Sequence, residues 1–274
     1  MKRIKILFLT FFIAISISAS EREESLCGTF LEPFVFWMWS SMTPKPDNSI
    51  VANIPFIEPS QYKTSDGKTL RGYRYLSNNG YTRTSAKGYI LVAMGNTMIS
   101  EQMVVMLKSF SLKGYDVYVY DYRGYANSEG NRRIKAIIQD YKEMVASLNK
   151  AYERRLLYGI SLGGAVMLNV IGSGLEYDAA VIDSAPSFLS PFGCPKRVDP
   201  VANLPRDASR LLIITAQKDS ILPSSLTSPL RESAKERGAK TFDGEEYDHP
   251  FADKTLEVHY QRMKIILQHL DAEN

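Results

Sequence analysis

A chain of 274 residues with 45% hydrophobic and 11% aromatic content can bury one sizeable core, and α/β folds of this length commonly form a single domain. The formal net charge of +3 sits at the start of the chain: without Lys2, Arg3 and Lys5 the 33 basic residues fall to 30, equal to the 30 acidic ones. Such a balance, with no polybasic stripe, excludes the electrostatic footprint of a nucleic-acid binder or an anionic-lipid binder.

Lys2, Arg3 and Lys5 precede an apolar run from Ile6 to Ala19, and Ser18-Ala19-Ser20 supplies small residues for cleavage. Residues 1–20 therefore read as a secretory signal peptide. The run falls short of the roughly 20 residues that a spanning helix needs, so export to the periplasm or medium after cleavage is expected; anchoring by an uncleaved segment is the alternative. The two cysteines, Cys27 and Cys194, either form a disulfide in an oxidising compartment or remain free thiols. Glu24-Ser25-Leu26-Cys27 lacks the small residues that precede a lipid-modified cysteine.

Residues 21–55 read as an irregular, aromatic-rich N-terminal extension, with Phe30, Phe34, Phe36, Trp37 and Trp39 ahead of the breaker Thr43-Pro44-Lys45-Pro46-Asp47. Two roles suit it: packing on the edge of a sheet, or a peripheral membrane contact through the aromatics.

Residues 56–274 form the expected catalytic domain. A hairpin is predicted first, with Phe56–Tyr62 and Leu70–Tyr75 joined at Thr64-Ser65-Asp66-Gly67-Lys68. Apolar runs with little alternation follow at 89–93, 117–121, 155–158, 179–182, 211–215 and 241–245, as strands covered on both faces require. Helical runs separate them at 101–113, 134–152, 162–171, 226–237 and 256–270. In the last, Leu256, Tyr260, Met263, Leu267 and Leu270 form the apolar stripe expected to face the sheet. This alternation predicts an α/β fold: a mostly parallel sheet of about eight strands with helices on both faces. Pro186–Arg210, with five prolines and little periodicity, reads as a small loop or cap.

Tyr158-Gly159-Ile160-Ser161-Leu162-Gly163-Gly164 places a Gly-x-Ser-x-Gly between a strand and a helix. A nucleophilic serine on so tight a turn needs small neighbours, and the helix N-terminus supplies N–H donors and a positive dipole end. A serine hydroxyl needs a base. Of the three histidines, His259 and His269 fall within the last helix, whereas His249 follows the last strand, late enough for the order Ser, acid, His. Asp219, after the strand at 211–215, is the candidate acid, with Asp183 as its rival. The oxyanion donors are the backbone amides of Leu162 and of Asn96, in the loop after the first parallel strand.

These residues resemble the α/β-hydrolase superfamily from about Phe56 to Leu270. Val119-Tyr120-Asp121-Tyr122-Arg123-Gly124-Tyr125-Ala126-Asn127-Ser128-Glu129-Gly130 is similar to a segment of small cap-poor hydrolases that include protein depalmitoylases. Two positions depart from that group: Met94 stands where His usually precedes Gly-Asn in the oxyanion loop, and Ala126 replaces a common glycine. Asp121 and Arg123 read as a buried structural ion pair near the site rather than as substrate contacts.

The expected activity is hydrolysis of an ester or thioester in a small-molecule or lipid-like acyl substrate. The alternatives are a peptidase, amidase or acyltransferase on the same triad, or a non-catalytic binding protein. No metal-ligand pattern and no dinucleotide fingerprint occurs, so no cofactor is expected.

Overall fold

A computed structural model describes residues 21–272; the signal peptide expected over 1–20 lies outside the described residues. Eight strands form one sheet: β1 (Ile57–Lys63), β2 (Thr69–Tyr75), β3 (Gly88–Ala93), β4 (Tyr115–Tyr120), β5 (Arg154–Ile160), β6 (Ala179–Asp183), β7 (Leu211–Ala216) and β8 (Lys240–Gly244). Their order is β1-β2-β4-β3-β5-β6-β7-β8. β2 runs antiparallel to β1 and β4, and the other pairs are parallel.

Seven helices are described: α1 (Leu31–Ser41), α2 (Ser100–Met106), α3 (Lys108–Leu112), α4 (Ile134–Leu148), α5 (Leu162–Ile171), α6 (Ser224–Glu236) and α7 (Leu256–Leu270). β3 is buried throughout because both faces are covered. Leu91 and Ala93 join the core layer under α4, α5 and α6, while Ile90 and Val92 join the layer under α2, α3 and α7. The chain leaves β3 for β4 on one side and returns to β5 on the other, so a crevice opens at the C-terminal ends of β3 and β5.

Several elements differ from the sequence reading. The helix expected over 101–113 divides at Leu107, whose φ −98° and ψ 14° leave the helical region. α4 ends at Leu148 and the chain passes through turns over 149–152, where the Asn149 side chain accepts from Tyr89 O–H and donates to the Glu176 carbonyl. In α7 Leu256 and Tyr260 are exposed, and the buried face is Met263, Ile266 and Leu270 with Arg262 and His269. The helix is turned so that Arg262 meets buried acceptors.

The largest correction concerns residues 21–55, which are not irregular throughout; around Asn48 and Val51 they pack beside β1 and β2 at the sheet's antiparallel edge. They contain α1 and a 3-10 turn at Asn48–Ile50. Phe36 enters the α4–α5 core layer, and α1 lines the cleft that holds Ser161. Glu32, buried, caps α4 by accepting from Ile134 N–H at 2.7 Å, and its other oxygen accepts from Cys27 N–H at 2.8 Å. A Cys27–Cys194 disulfide ties this segment to the Pro186–Arg210 region, which is wound into three 3-10 turns.

Asp121 and Arg123 do not pair with each other. The chain turns after Tyr120, so their side chains leave toward opposite layers. Asp121 accepts from Ser100 N–H at the start of α2 (2.7 Å). Arg123, fully buried, binds Asp140 of α4 (2.6 Å), Asp66 (2.7 Å) and Glu23 (2.8 Å). Arg22 shares Asp140 and reaches Glu143 at 2.7 Å.

Candidate active site

β5 ends at Ile160 and α5 begins at Leu162, so Ser161 must turn the chain within one residue. It does so at φ 52° and ψ −118°, a conformation that costs a non-glycine residue about 1–3 kcal/mol. Its N–H is held by the Asp183 carbonyl at 2.8 Å. The neighbouring glycines are required by close approach: a Cβ on Gly159 would stand 2.7 Å from Gly163 O, and one on Gly163 only 2.0 Å from Ala93 O. This turn lifts Ser161 to the rim of the sheet beside the unsatisfied first N–H groups of α5.

Asp219 follows β7 and His249 follows the adjacent β8, and the fold brings them together. His249 Nδ1 lies 2.9 Å from Asp219 Oδ2 and 3.1 Å from Oδ1. Asp219 also accepts from the amides of Ile221 (2.9 Å) and Leu222 (2.7 Å). Burial pushes the Asp219 pKa up, but the His249 contact and these amides outweigh it and hold the carboxyl below its ordinary value. An ionised carboxylate only accepts, so Nδ1 carries the proton and Nε2 is the basic nitrogen. Among the described residues no hydrogen bond joins the His249 ring to Ser161 Oγ; such contacts often tighten only around substrate.

The rival Asp183 is fully buried, accepts from Tyr158 O–H at 3.3 Å and lies 4.0 Å from Arg262 Nε. His259 faces Asp253 and the Phe251 ring, and His269 meets the Arg210 carbonyl. Neither is placed to serve Ser161.

The loop carrying the expected oxyanion donor lies against the serine. A Cβ on Gly95 would stand 3.6 Å from Ser161 Cβ, and Asn96 and Leu162 both line the cleft with Ser161. Tyr122 O–H donates to the Met94 carbonyl at 2.5 Å and Tyr125 O–H to Asn96 Oδ1 at 3.0 Å. These two tyrosines tie down the loop that carries Met94 and Asn96. Ala126 sits at φ 43°, so the turn is kept at the cost of a left-handed alanine.

Two residues escaped the sequence reading. Asp248 Oδ1 accepts from His249 N–H (2.7 Å), Ser220 N–H (2.8 Å) and Ser220 Oγ (2.8 Å), bridging the His249 and Asp219 loops. Arg262, buried on α7, donates to the Asp248 carbonyl at 2.5 Å, stands 3.4 Å from Asp253 and lies 4.4 Å over the Tyr247 ring. The only signal was its place beside Met263 in the expected stripe.

The cleft above Ser161 has a volume of about 490 Å³. α1 roofs it with Val35, Phe36 and Trp39, and Leu189, Phe192 and Leu222 face them. Among the described lining residues Glu32 alone is ionisable, and its carboxylate is already engaged by backbone amides.

The sequence profile of the serine aminopeptidase, S33 family matches residues 84–236, more than half of the chain. The chain belongs to this family of hydrolases. The match takes in Ser161 and Asp219 and ends before His249. An uncharacterised Escherichia coli (strain K12) protein, YfhR, is 26% identical to this hydrolase over 252 residues, spanning 84% of this chain and 87% of that protein. In structure the hydrolase is similar to the Pyrococcus furiosus esterase Pf2001, with a TM-score of 0.61 and 15% identity over 83% of this chain and 96% of that one. It is similar also to the esterase domain of a Rhodothermus marinus protein (TM-score 0.59, 20% identity, 78% and 98% of the two chains). A Pyrococcus horikoshii acylaminoacyl peptidase aligns with a TM-score of 0.58 and 14% identity over 84% of this chain and 45% of that one. These three attest the α/β-hydrolase fold alone.

Proposed function

We propose that this hydrolase cleaves an ester or thioester bond of a small-molecule or lipid-like acyl substrate by double displacement through Ser161, His249 and Asp219. The observation that carries the reading is the Asp219–His249 contact, made by a carboxylate held ionised, on the same rim as the strained Ser161 turn. Ser161 Oγ attacks the acyl carbon while His249 Nε2 takes its proton, and the amides of Leu162 and Asn96 receive the charge developing on oxygen. Collapse breaks the bond to the leaving alcohol or thiol, which takes the proton from His249 and departs, leaving acyl-Ser161. Water then adds to the acyl carbon with its proton passing to His249, and collapse returns that proton to Ser161 Oγ and frees the carboxylic acid.

The cleft favours acyl esters over aminopeptidase substrates. An aminopeptidase must hold an α-ammonium, whereas the one acidic side chain lining this cleft, Glu32, spends both oxygens on backbone amides. The Cys27–Cys194 disulfide supports export, since such bonds persist in oxidising compartments.

The test is turnover of a series of chromogenic esters and thioesters, short to long acyl, by the purified protein and by Ser161→Ala. Wild-type turnover that falls at least about a thousandfold in the variant is expected. Equal silence, or equal turnover, in both proteins would overturn the assignment.

A further inference from the structure

We propose that α1 is a lipid-docking face: it seats the cleft mouth on an uncharged lipid surface, from which acyl chains enter toward Ser161. The proposal rests on the hydrolase reading for its substrate, and on independent observations for the docking itself.

α1 is apolar on both sides. Its inner side chains roof the cleft. On the outside, Phe30 is 88%, Phe34 59% and Trp37 61% exposed, with Met38 and Met42 beside them. Positions 30, 34, 37, 38 and 42 fall on one helical stripe, where a helix facing water would carry polar residues. The stripe does not stop at the helix. Leu31, Met38, Phe192 and Ile221 line the cleft and are also exposed, so exposed apolar side chains run from the outer face into the mouth above Ser161; the exposed Ser41 on the same stripe turns its hydroxyl back onto the Met38 carbonyl.

Isolated exposed apolar residues need no explanation, but a continuous patch of large aromatics around a pocket mouth marks an interaction surface. Charge decides the occupant. The sole charged residue of α1 is Glu32, and it is turned inward onto the amides of Cys27 and Ile134. A protein partner engages an apolar centre ringed by polar and charged residues, whereas the outer side of α1 carries no charge and the nearest exposed charges in sequence, Lys45 and Asp47, lie beyond its end. A lipid phase asks only for apolar area with Trp near the headgroups. Continuity with the cleft points the same way, since an acyl chain can pass from lipid to Ser161 without crossing water. No described helix is long and apolar enough to cross a membrane, so α1 lies along the surface.

Phe34 and Trp37 are exposed and do not line the cleft, so Phe34→Ser/Trp37→Ser probes docking without touching the proposed catalytic groups. Both proteins, purified from the full-length chain and brought to the same N-terminal state, are sedimented with phosphatidylcholine vesicles at low and high salt. They are also assayed on a soluble butyryl ester and on a long-chain acyl ester held in the same vesicles. The wild type is expected to bind vesicles independently of salt, and the variant at least about tenfold more weakly. Rates on the butyryl ester should be equal, while the variant loses turnover of the vesicle-held ester. Equal vesicle binding by both proteins, or binding by neither, overturns the proposal. So does a concentration-dependent wild-type dimer that the variant abolishes, since a second copy would then cover the patch. If neither protein hydrolyses the butyryl ester, the hydrolase reading fails while sedimentation still decides the docking.

Discussion

A histidine base is only as good as the hold on its ring, and around His249, the proposed base, the contacts extend beyond Asp219. Asp248 bridges the two loops through one carboxylate oxygen, so Asp248→Ala is expected to lower kcat about tenfold with KM little changed, measured on a short soluble ester. Arg262 anchors the same loop between Asp253 and Asp183. Arg262→Met leaves buried carboxylates uncompensated and should cost about 3–5 kcal/mol in urea unfolding, with part of the loss recovered by adding Asp183→Asn. Asp121 gives a pH signature. Burial raises its pKa from the ordinary carboxyl value to about 6, against the opposing hydrogen bond from Ser100. A carboxyl that binds its proton more tightly when folded adds stability below its unfolded pKa and loses it as pH rises through about 6. Asp121→Asn should therefore be more stable than wild type at pH 8 by up to about 3 kcal/mol, with the difference vanishing near pH 4 in thermal melts. The proposed Ser161, Asp219 and His249 could be picked out in the sequence because the chemistry restricts both residue type and chain order, and the structure brings the last two to 2.9 Å. Arg262 and Asp248 could not, because each acts on a partner that only the folded chain brings near.

At the scale of elements, strands and amphipathic helices announced themselves through their periodicity, and most boundaries fall within a few residues of expectation. α1 did not. With apolar residues on both of its faces it has no 3.6-residue contrast. What holds it is remote in sequence: Glu32 on the start of α4, and a disulfide across 167 residues. A cross-link over so long a loop restricts the unfolded chain strongly, so Cys27→Ser/Cys194→Ser is expected to lower stability by about 2–4 kcal/mol in urea unfolding. The same variant loosens the roof of the cleft, and its KM should rise more for a long-chain ester than for a butyryl ester.

In the whole molecule, the order β3-β5-β6-β7-β8 gathers positions 96, 161, 219 and 249 onto one rim, although they lie far apart in sequence. The apolar cleft and the uncharged outer face of α1 both suit an acyl substrate. The central claim is that Ser161 is a nucleophile made reactive by His249. It is tested most directly by exposing the native protein and its His249→Ala variant to a fluorophosphonate and locating the adduct by peptide mass. The account predicts one phosphonyl group on Ser161 in the native protein and little or none in the variant. Labelling at another residue, or labelling of Ser161 that is indifferent to His249, would contradict it.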